Sequence, residues 1–247
     1  MNQALRLKLE RFTHFSQQDN DLIARLCTDR VREFAAGTDI VSERADAKFI
    51  NIMLDGWAWR CRYLEDGRRQ ILALLLAGDV FDLHNLVLRR ADHTVHAVTA
   101  VTIAQIPVEP IREIICSNSR LGLALQWQEA TNIAIQREWT VNLGQRDAFE
   151  RIAHLLCEVF VRLRLIGQVR GDSCDWPLTQ SDLADIAGIS AVHVNRVLRD
   201  IRLANLADIK GRVLTIPNLE RLMEASQFDL TYLHLYLEED RVGLSER

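Results

Sequence analysis

The sequence predicts an α+β protein in which an antiparallel β domain is followed by a long helix and then by a helix-turn-helix. Two observations predict this order. From residue 31 to about residue 108, short β-branched or alternating runs are separated by single glycines, which is typical of short antiparallel strands. After Pro110, apolar residues recur at helical spacing as far as about Gly167. We therefore expect two domains with a long helix between them.

The composition excludes a disordered, a collagen-like or a low-complexity protein. The chain has 247 residues, 48% hydrophobic and 26% charged, which is typical of a globular protein with room for two cores. The net charge of -4 gives no overall basic field, so any contact with nucleic acid must come from a local patch. The five cysteines are widely spaced, and neither a signal peptide nor an apolar run of about 18 residues is present. We expect a cytoplasmic protein with reduced thiols and no membrane partner.

The clearest strand pair flanks Asp66-Gly67, because Asp-Gly between two alternating runs is a strong hairpin signal. The runs are residues 57–63 and 69–74. Alternation places four side chains on one face of the first run: Trp57, Trp59, Cys61 and Tyr63. We interpret them as packing residues in preference to an aromatic ligand cage. Arg60 and Arg62 point the other way and are expected to face solvent.

The helix from Ser119 to Leu143 is apolar on two opposite sides. One stripe contains Leu121, Leu125, Gln128, Asn132, Ile135, Trp139 and Leu143. The other contains Leu123, Trp127, Ala130, Ala134 and Val141. Two apolar sides require two partners, and we expect the β domain and the same helix of a second chain. The first stripe is the predicted dimer interface; the alternative is a helix buried inside a monomer.

Residues 179–198 have the spacing of a helix-turn-helix. Thr179 and Asp182 are predicted to form a capping box at the start of the first helix. Gly188 is expected to end that helix with a positive φ, and Ser190 to cap the second. The shared core is predicted to come from Leu183, Ile186, Ile189, Val194 and Val197. The alternative is a plain pair of helices whose arginines are merely solvated.

The exposed face of the second helix has the residue types that read DNA bases. Arginine pairs with guanine, asparagine with adenine, and valine meets the thymine methyl group. Polar residues at the start of the first helix suit phosphate contacts. Lys210-Gly211 forms a turn between two β runs, which predicts a basic wing. The predicted DNA contacts are Gln180, Ser181, Ser190, Val192, His193, Asn195, Arg196, Arg199, Lys210 and Arg212.

Together these motifs resemble the CRP/FNR superfamily of bacterial transcription regulators over nearly the whole chain. The resemblance is carried by Phe34–Gly37, Gly56, Asp66–Ile71, Gly78-Asp79, Arg151–Leu156 and the stretch from Leu178 through Arg196. It implies three parts: a cyclic-nucleotide-binding-like β-roll, similar to a double-stranded β-helix or jelly roll, at 1–118; a dimerisation helix and hinge at 119–146; and a C-terminal winged helix-turn-helix at 147–247. It also implies a homodimer on a pseudo-palindromic promoter site, with double-stranded DNA and RNA polymerase as partners.

Two departures from the family pattern concern the cyclic-nucleotide pocket. Asp82-Leu83 stands where the family has Gly-Glu, and His93-Thr94-Val95 replaces Arg-Ser/Thr-Ala. A carboxylate repels a phosphate, and an imidazole does not replace a guanidinium fork. We therefore expect an effector other than cyclic AMP, or no effector, with a pocket at Trp59, Asp82, His84 and His93. The alternative is a regulatory subunit of the same fold that acts through protein partners instead of DNA.

No metal site, cofactor or catalytic site is predicted. His93 and His96 are three apart in a strand and should point to opposite faces, so they and His84 are interpreted as structural or surface residues, in preference to metal or haem ligands. His154 and Cys157 lie one helical turn apart and are interpreted as core residues. No nucleophile–base pair, carboxylate pair or glycine-rich phosphate loop has interpretable spacing. We therefore expect a protein that is not an enzyme.

Overall fold

The protein is represented by a computed structural model that describes residues 3–235. The chain divides into two compact units. The first contains residues up to Arg60 and Leu74–Ala134, and the second contains Cys61–Ala73 and Ile135–Tyr232. This division falls inside the long helix and inside the predicted hairpin, whereas the predicted domain ranges end at residues 118 and 146. Those ranges stay predictions.

The first unit begins with two short helices, α1 (Gln3–Leu9) and α2 (Gln17–Leu26). Eight strands follow: β1 (Val31–Phe34), β2 (Asp39–Val41), β3 (Phe49–Asp55), β4 (Trp57–Tyr63), β5 (Arg69–Leu76), β6 (Val80–Phe81), β7 (Thr94–Ala97) and β8 (Val101–Pro107). They form two four-stranded sheets in the orders β1-β8-β3-β6 and β2-β7-β4-β5. Helix α3 (Val108–Ser117) follows β8. This is the predicted antiparallel β-roll.

Among the described residues, two apolar clusters lie in the β-roll. One lies among the strands and includes Met53, Phe81 and Ile103, all fully buried. The other joins the strands to the helices and includes Leu9 of α1 and Leu125 of the long helix. The predicted hairpin is confirmed: β4 and β5 flank Gly67, whose amide donates to the carbonyl oxygen of Leu64 at 2.9 Å.

The long helix α4 (Ser119–Gly144) buries the stripe that was predicted as the dimer interface. Leu121, Leu125, Gln128, Ile135 and Trp139 are buried within the chain. The polar members have partners there too: Asn132 Nδ2 donates to the carbonyl oxygen of Val80 at 3.2 Å, and Trp139 Nε1 donates to Glu158. The assignment of this stripe to a second chain was therefore wrong, and of its members only Leu143 is exposed. Of the opposite stripe, Leu123 (53%) and Val141 (44%) are exposed and Ala134 is buried, and Ile133 beside that stripe is 48% exposed.

The second unit contains helices α5 (Ala148–Leu165), α6 (Gln180–Ala187), α7 (Ala191–Leu203) and α8 (Leu219–Ser226). Its strands are β9 (Val169–Arg170), β10 (Ser173–Asp175), β11 (Asp208–Lys210) and β12 (Val213–Thr215), in the sheet order β11-β12-β10-β9. The pair β11–β12 is the predicted wing, whereas β9–β10 was not predicted. No helix in the described part of the chain is both long enough and apolar enough to cross a membrane.

The core of the second unit contains a buried polar cluster centred on Glu158 of α5, which is fully buried. Arg162 Nη1 lies 3.1 Å from Glu158 Oε1. Trp139 Nε1 and the Tyr232 hydroxyl donate to Oε2 at 2.9 and 3.0 Å. Burial raises the pKa of Glu158, although Arg162 and the two donors oppose this shift. The carboxylate therefore depends on its partners to remain ionised inside the protein.

His154 and Cys157, on the same helix, are both fully buried, which confirms their interpretation as core residues. His154 Nδ1 lies 3.1 Å from Asn142 Nδ2, and its ring packs against Phe228 and Tyr232. Burial, together with the nearby charge of Arg146, lowers the pKa of His154 to about 3. Burial also raises the pKa of Cys157 to about 12, so its thiol stays neutral.

The lowered pKa of His154 predicts that the protein loses stability as the pH falls below about 6.5, the ordinary pKa of histidine. Between that pH and about pH 3, the unfolded chain binds a proton at this residue and the folded chain does not, so acid favours unfolding. Urea unfolding at a series of pH values should show this slope in the wild type, and a smaller slope in His154→Leu. The variant His193→Gln, at an exposed histidine, should keep the wild-type slope. Equal slopes in all three proteins would contradict the prediction.

Candidate nucleic-acid interface and effector pocket

Local hydrogen bonds and one glycine fix the helix-turn-helix formed by α6 and α7. Thr179 Oγ1 accepts from the amide of Asp182, whose carboxylate accepts from the amide of Thr179 at 2.9 Å. Gly188 ends α6 with φ 66°, a left-handed conformation that favours glycine. Ser190 Oγ accepts from the amide of His193 and caps α7. The predicted capping box, turn glycine and second cap are all confirmed.

Helix α7 buries one face and exposes the other, as predicted. Val194, Val197 and Ile201 are buried. The predicted contact residues on the opposite face are all exposed: Val192, His193, Asn195, Arg196 and Arg199. Val192 is 75% exposed, so its methyl groups are available for an apolar contact with a partner. This face can therefore reach into a groove without rearrangement of the core.

Polar residues of α6 and of the wing extend the exposed face. Asn195 Nδ2 donates to Gln180 Oε1 at 3.2 Å, so the first residue of α6 is linked to the middle of α7. Ser181 and Ser190 are exposed. In the wing, Lys210 and Arg212 are exposed on either side of Gly211, and Arg212 has φ 64°. All ten residues predicted to contact DNA thus lie within the helix-turn-helix or the wing and are exposed.

The tip of the β4–β5 hairpin belongs to the second unit and holds α6 in place. Arg69 Nη2 lies 2.8 Å from Asp182 Oδ1, and Arg69 Nε donates to Asp185 Oδ2 at 2.8 Å. Gln70 Nε2 donates to the carbonyl oxygen of Asp185 at 2.7 Å. Arg151 donates to the carbonyl oxygen of Ala187. These side chains satisfy carbonyl groups that the end of α6 leaves without helical partners, and Arg69 neutralises acidic charge beside the basic face.

Sequence reasoning missed the role of Arg69, Gln70 and Arg151. All three lie in segments that carry the family resemblance, Asp66–Ile71 and Arg151–Leu156. Their contacts with α6, however, span between 36 and 116 residues of chain. Spacing along the sequence reports contacts within one helix or hairpin and carries no signal for a contact of this length.

The structure brings three of the four predicted pocket residues together in the β-roll. His93 Nε2 lies 3.1 Å from Asp82 Oδ1, and the rings of His84 and His93 are 5.6 Å apart. Asp82 and His93 are both buried. Trp59 is also buried, but it stacks on His96 with ring centres 5.5 Å apart. The predicted pocket residues therefore include an Asp82–His84–His93 cluster, whereas Trp59 packs against a different histidine, His96.

Arg60 corrects one expectation from the sequence, because its side chain turns to Asp82 instead of to solvent. Arg60 Nη2 lies 3.1 Å from Asp82 Oδ1, and the side chain is mostly buried. Alternation along β4 is preserved, but a buried carboxylate requires compensating charge. Although burial alone would raise the pKa of Asp82, its contacts with His93 and Arg60 hold the pKa below its usual value. Asp82 therefore stays negatively charged.

An antiparallel β-roll combined with an exposed, basic recognition helix and a wing defines a DNA-binding regulator. Comparison with known proteins agrees. Residues 31–118 match the cyclic nucleotide-binding domain family, and residues 150–225 match the Crp-like helix-turn-helix domain family. The chain belongs to the CRP/FNR superfamily of transcription regulators, as the sequence resemblance predicted.

The chain is also similar to individual known proteins. The chain is 25% identical to a probable transcriptional activator of Rhizobium leguminosarum over 77% of its length and 79% of the relative's. It is 26% identical to the transcriptional activator protein FnrL of Cereibacter sphaeroides over 80% and 81% of the two lengths. The solved structure of FixK2 from Bradyrhizobium japonicum is 21% identical, with a TM-score of 0.72, and the match covers 79% of this chain and 96% of that one.

Proposed function

We propose that the protein acts as a homodimer on a pseudo-palindromic promoter site, and that its effector is not cyclic AMP or that it needs none. The exposed face of α7 is the observation that carries the first part. Its arginines suit guanine, Asn195 suits adenine, and Val192 suits the thymine methyl group. The basic wing and the start of α6 suit phosphates. RNA polymerase is the expected protein partner, and a DNA target would place the protein in the bacterial cytoplasm.

The exposed stripe of α4 supports the homodimer. Leu123, Ile133 and Val141 lie on one side of the helix, with Ala130 between them, at spacings close to the seam of a two-stranded coiled coil. A two-fold arrangement brings the same stripe of each chain together. Two chains also double the number of base contacts, which matches two half-sites related by symmetry.

Ile133→Glu is expected to weaken the dimer, because it places a charge in the middle of the exposed stripe. Sedimentation at micromolar concentration should show a dimer for the wild type and a larger fraction of monomer for the variant. The matched control is Val87→Glu, which puts the same charge on an exposed valine outside α4. A wild type that is monomeric at every concentration would exclude the proposed dimer.

The charge of Asp82 supports the absence of a cyclic-nucleotide response. A buried carboxylate would repel the cyclic phosphate, and the nearby Arg60 is already paired with that carboxylate. A ligand without different affinities for two states cannot shift their populations. Calorimetry with cyclic AMP and cyclic GMP should therefore show no micromolar binding. Micromolar binding that also tightens the DNA complex would contradict this part of the proposal.

The decisive experiment is selection of bound fragments from random DNA, followed by titration of a selected site at several salt concentrations. We expect an inverted repeat with half-sites about 34 Å apart, and an affinity that falls steeply as salt rises. The competing function, a regulatory subunit that acts only through protein partners, predicts no binding to DNA at any salt concentration.

A further inference from the structure

The Asp82–His84–His93 cluster has the composition of a transition-metal site. One ligand atom from each of the three residues lies within 4.8 Å of the other two. Ligand atoms around a tetrahedral zinc ion are about 3.3 Å apart, given bonds of about 2.0–2.1 Å. The pair Asp82–His93 already has this separation, at 3.1 Å. Small side-chain rotations of His84 would complete the set.

His93 is oriented as metal-binding histidines usually are, because its Nδ1 lies 2.6 Å from Asp92 Oδ1. His84 Nδ1 faces Glu129 Oε1 at 3.9 Å, which is beyond hydrogen-bond distance. A carboxylate on one ring nitrogen fixes the ring and leaves the other nitrogen for a ligand. His84 Nε2 is buried and has no hydrogen-bond partner among the described residues. A buried nitrogen without a partner costs free energy that a bound ion would recover.

Asp82 is held in an unusual conformation that presents its carboxylate to the two histidines. Its φ is 63°, in the left-handed region that few residues other than glycine adopt. It precedes the short 3-10 helix Leu83–Leu86, but its side chain does not cap that helix. Instead Asn51 Nδ2 donates to Oδ2 at 3.1 Å, while Oδ1 faces His93. Backbone strain of this kind is concentrated at functional sites.

The charge around the cluster favours a divalent cation. The carboxylates of Asp82, Asp92 and Glu129 supply three negative charges, and Arg60 supplies one positive charge. The net charge of these four groups is therefore -2, which one divalent cation would neutralise. Two nitrogen ligands favour a transition metal over Mg²⁺ or Ca²⁺, which prefer oxygen. Arg60, 3.1 Å from Asp82, occupies one side of the carboxylate and would compete with the ion.

We propose that Asp82, His84 and His93 bind one divalent transition-metal ion of the zinc and iron(II) class in the β-roll. The sequence alone favoured structural histidines because it paired His93 with His96, whose partner is Asp39. The contact that matters joins His93 to residues that lie about ten positions earlier in the chain. The site differs in chemistry from a cyclic-nucleotide pocket, because it offers ligands for a cation at a place where the family binds an anion.

The test is a calorimetric titration of the chelator-treated full-length protein with Zn²⁺, without DNA. We expect one ion per chain, and at least tenfold weaker binding in His93→Gln and in His84→Gln. His84 is partly exposed, so His84→Gln keeps the test valid if His93→Gln does not fold. Asp92→Asn should weaken binding about 10–100-fold, since its carboxylate orients His93. His96→Gln is the matched control and should bind as the wild type does.

The Zn²⁺ affinity of Arg60→Met distinguishes a metal site from an ion-pair cluster that has only a structural role. Removal of the competing charge should tighten Zn²⁺ binding at least severalfold, whereas loss of a structural ion pair would not strengthen metal binding. Bound Co²⁺ should show the visible absorption bands of a cobalt ion with nitrogen and oxygen ligands, without the charge-transfer band that a thiolate ligand adds. Failure to bind, or binding that depends on the exposed Cys116 and not on His84 and His93, would overturn the proposal. Because no DNA is used, such a failure would leave the proposed DNA binding untouched.

Discussion

Replacement of Arg196 by alanine is expected to weaken binding to the selected palindrome by about 1–3 kcal/mol per half-site and to relax the choice of one base pair. Arg196 is exposed on the face of α7 opposite the buried Val194 and Val197. Its guanidinium has the fork geometry that pairs with guanine, and the loss removes that pairing in both half-sites. Gel-shift titrations of the variant against sites changed at single positions measure both effects.

Arg221→Ala is the matched control for Arg196→Ala, because Arg221 is an exposed arginine of the same unit on α8. The two variants have the same net charge, so a difference between them reports the position and not the overall field. Wild-type selectivity is expected for the control. If Arg196→Ala lowers the affinity for all sequences by the same factor, Arg196 contacts a phosphate and its assignment to a base is wrong.

Arg162→Ala is expected to lower the free energy of unfolding by about 3–5 kcal/mol, because it leaves the charge of Glu158 buried without its cation. Glu158 is fully buried and Arg162 nearly so, and their contact of 3.1 Å lies inside the core of the second unit. Trp139 and Tyr232 still donate to the carboxylate, but two neutral donors do not replace a full charge. Urea unfolding of the wild type and the variant at neutral pH measures the loss.

Two further measurements identify the charge of Glu158 as the cause. The double variant Glu158→Leu/Arg162→Met removes both charges and should recover much of the lost stability. Low pH should also reduce the difference in free energy of unfolding between Arg162→Ala and the wild type. Burial raises the folded pKa of Glu158 above its unfolded value, so the stability that the protonated carboxyl contributes is lost as pH rises and returns as pH falls. His154 is present in both proteins, so its own acid effect cancels. A loss that persists in the double variant would contradict this account.

The elements that could be predicted from the sequence are those fixed by neighbouring residues. The hairpin at Gly67, the capping box at Thr179 and the turn at Gly188 depend on backbone conformations and hydrogen bonds within a few residues. The exposed face of α7 follows from helical periodicity alone. For this reason the structure placed every predicted DNA contact on the exposed helix-turn-helix or wing.

The remaining features depend on tertiary packing. Both sides of α4 are apolar, and the choice between them was decided by polar residues whose partners the sequence does not identify, such as the carbonyl oxygen of Val80 for Asn132. Arg60 alternates correctly but turns toward Asp82, 22 residues away. The Asp82–His84–His93 cluster depends in the same way on how the strands fold over one another. Periodicity identifies which side of an element is buried and not what buries it.

The hairpin contact with α6 has a consequence for the synthesis of the protein. The second compact unit is discontinuous, since residues Cys61–Ala73 are made well before the Ile135–Tyr232 segment that they join. During translation more than a hundred further residues must be synthesised before Asp182 and Asp185 can contact Arg69 in the hairpin tip. A separately expressed fragment that begins at residue 135 would lack both Arg69 and Gln70. Its α6 would then expose two adjacent carboxylates and unpaired carbonyl oxygens on the element that aligns the recognition helix.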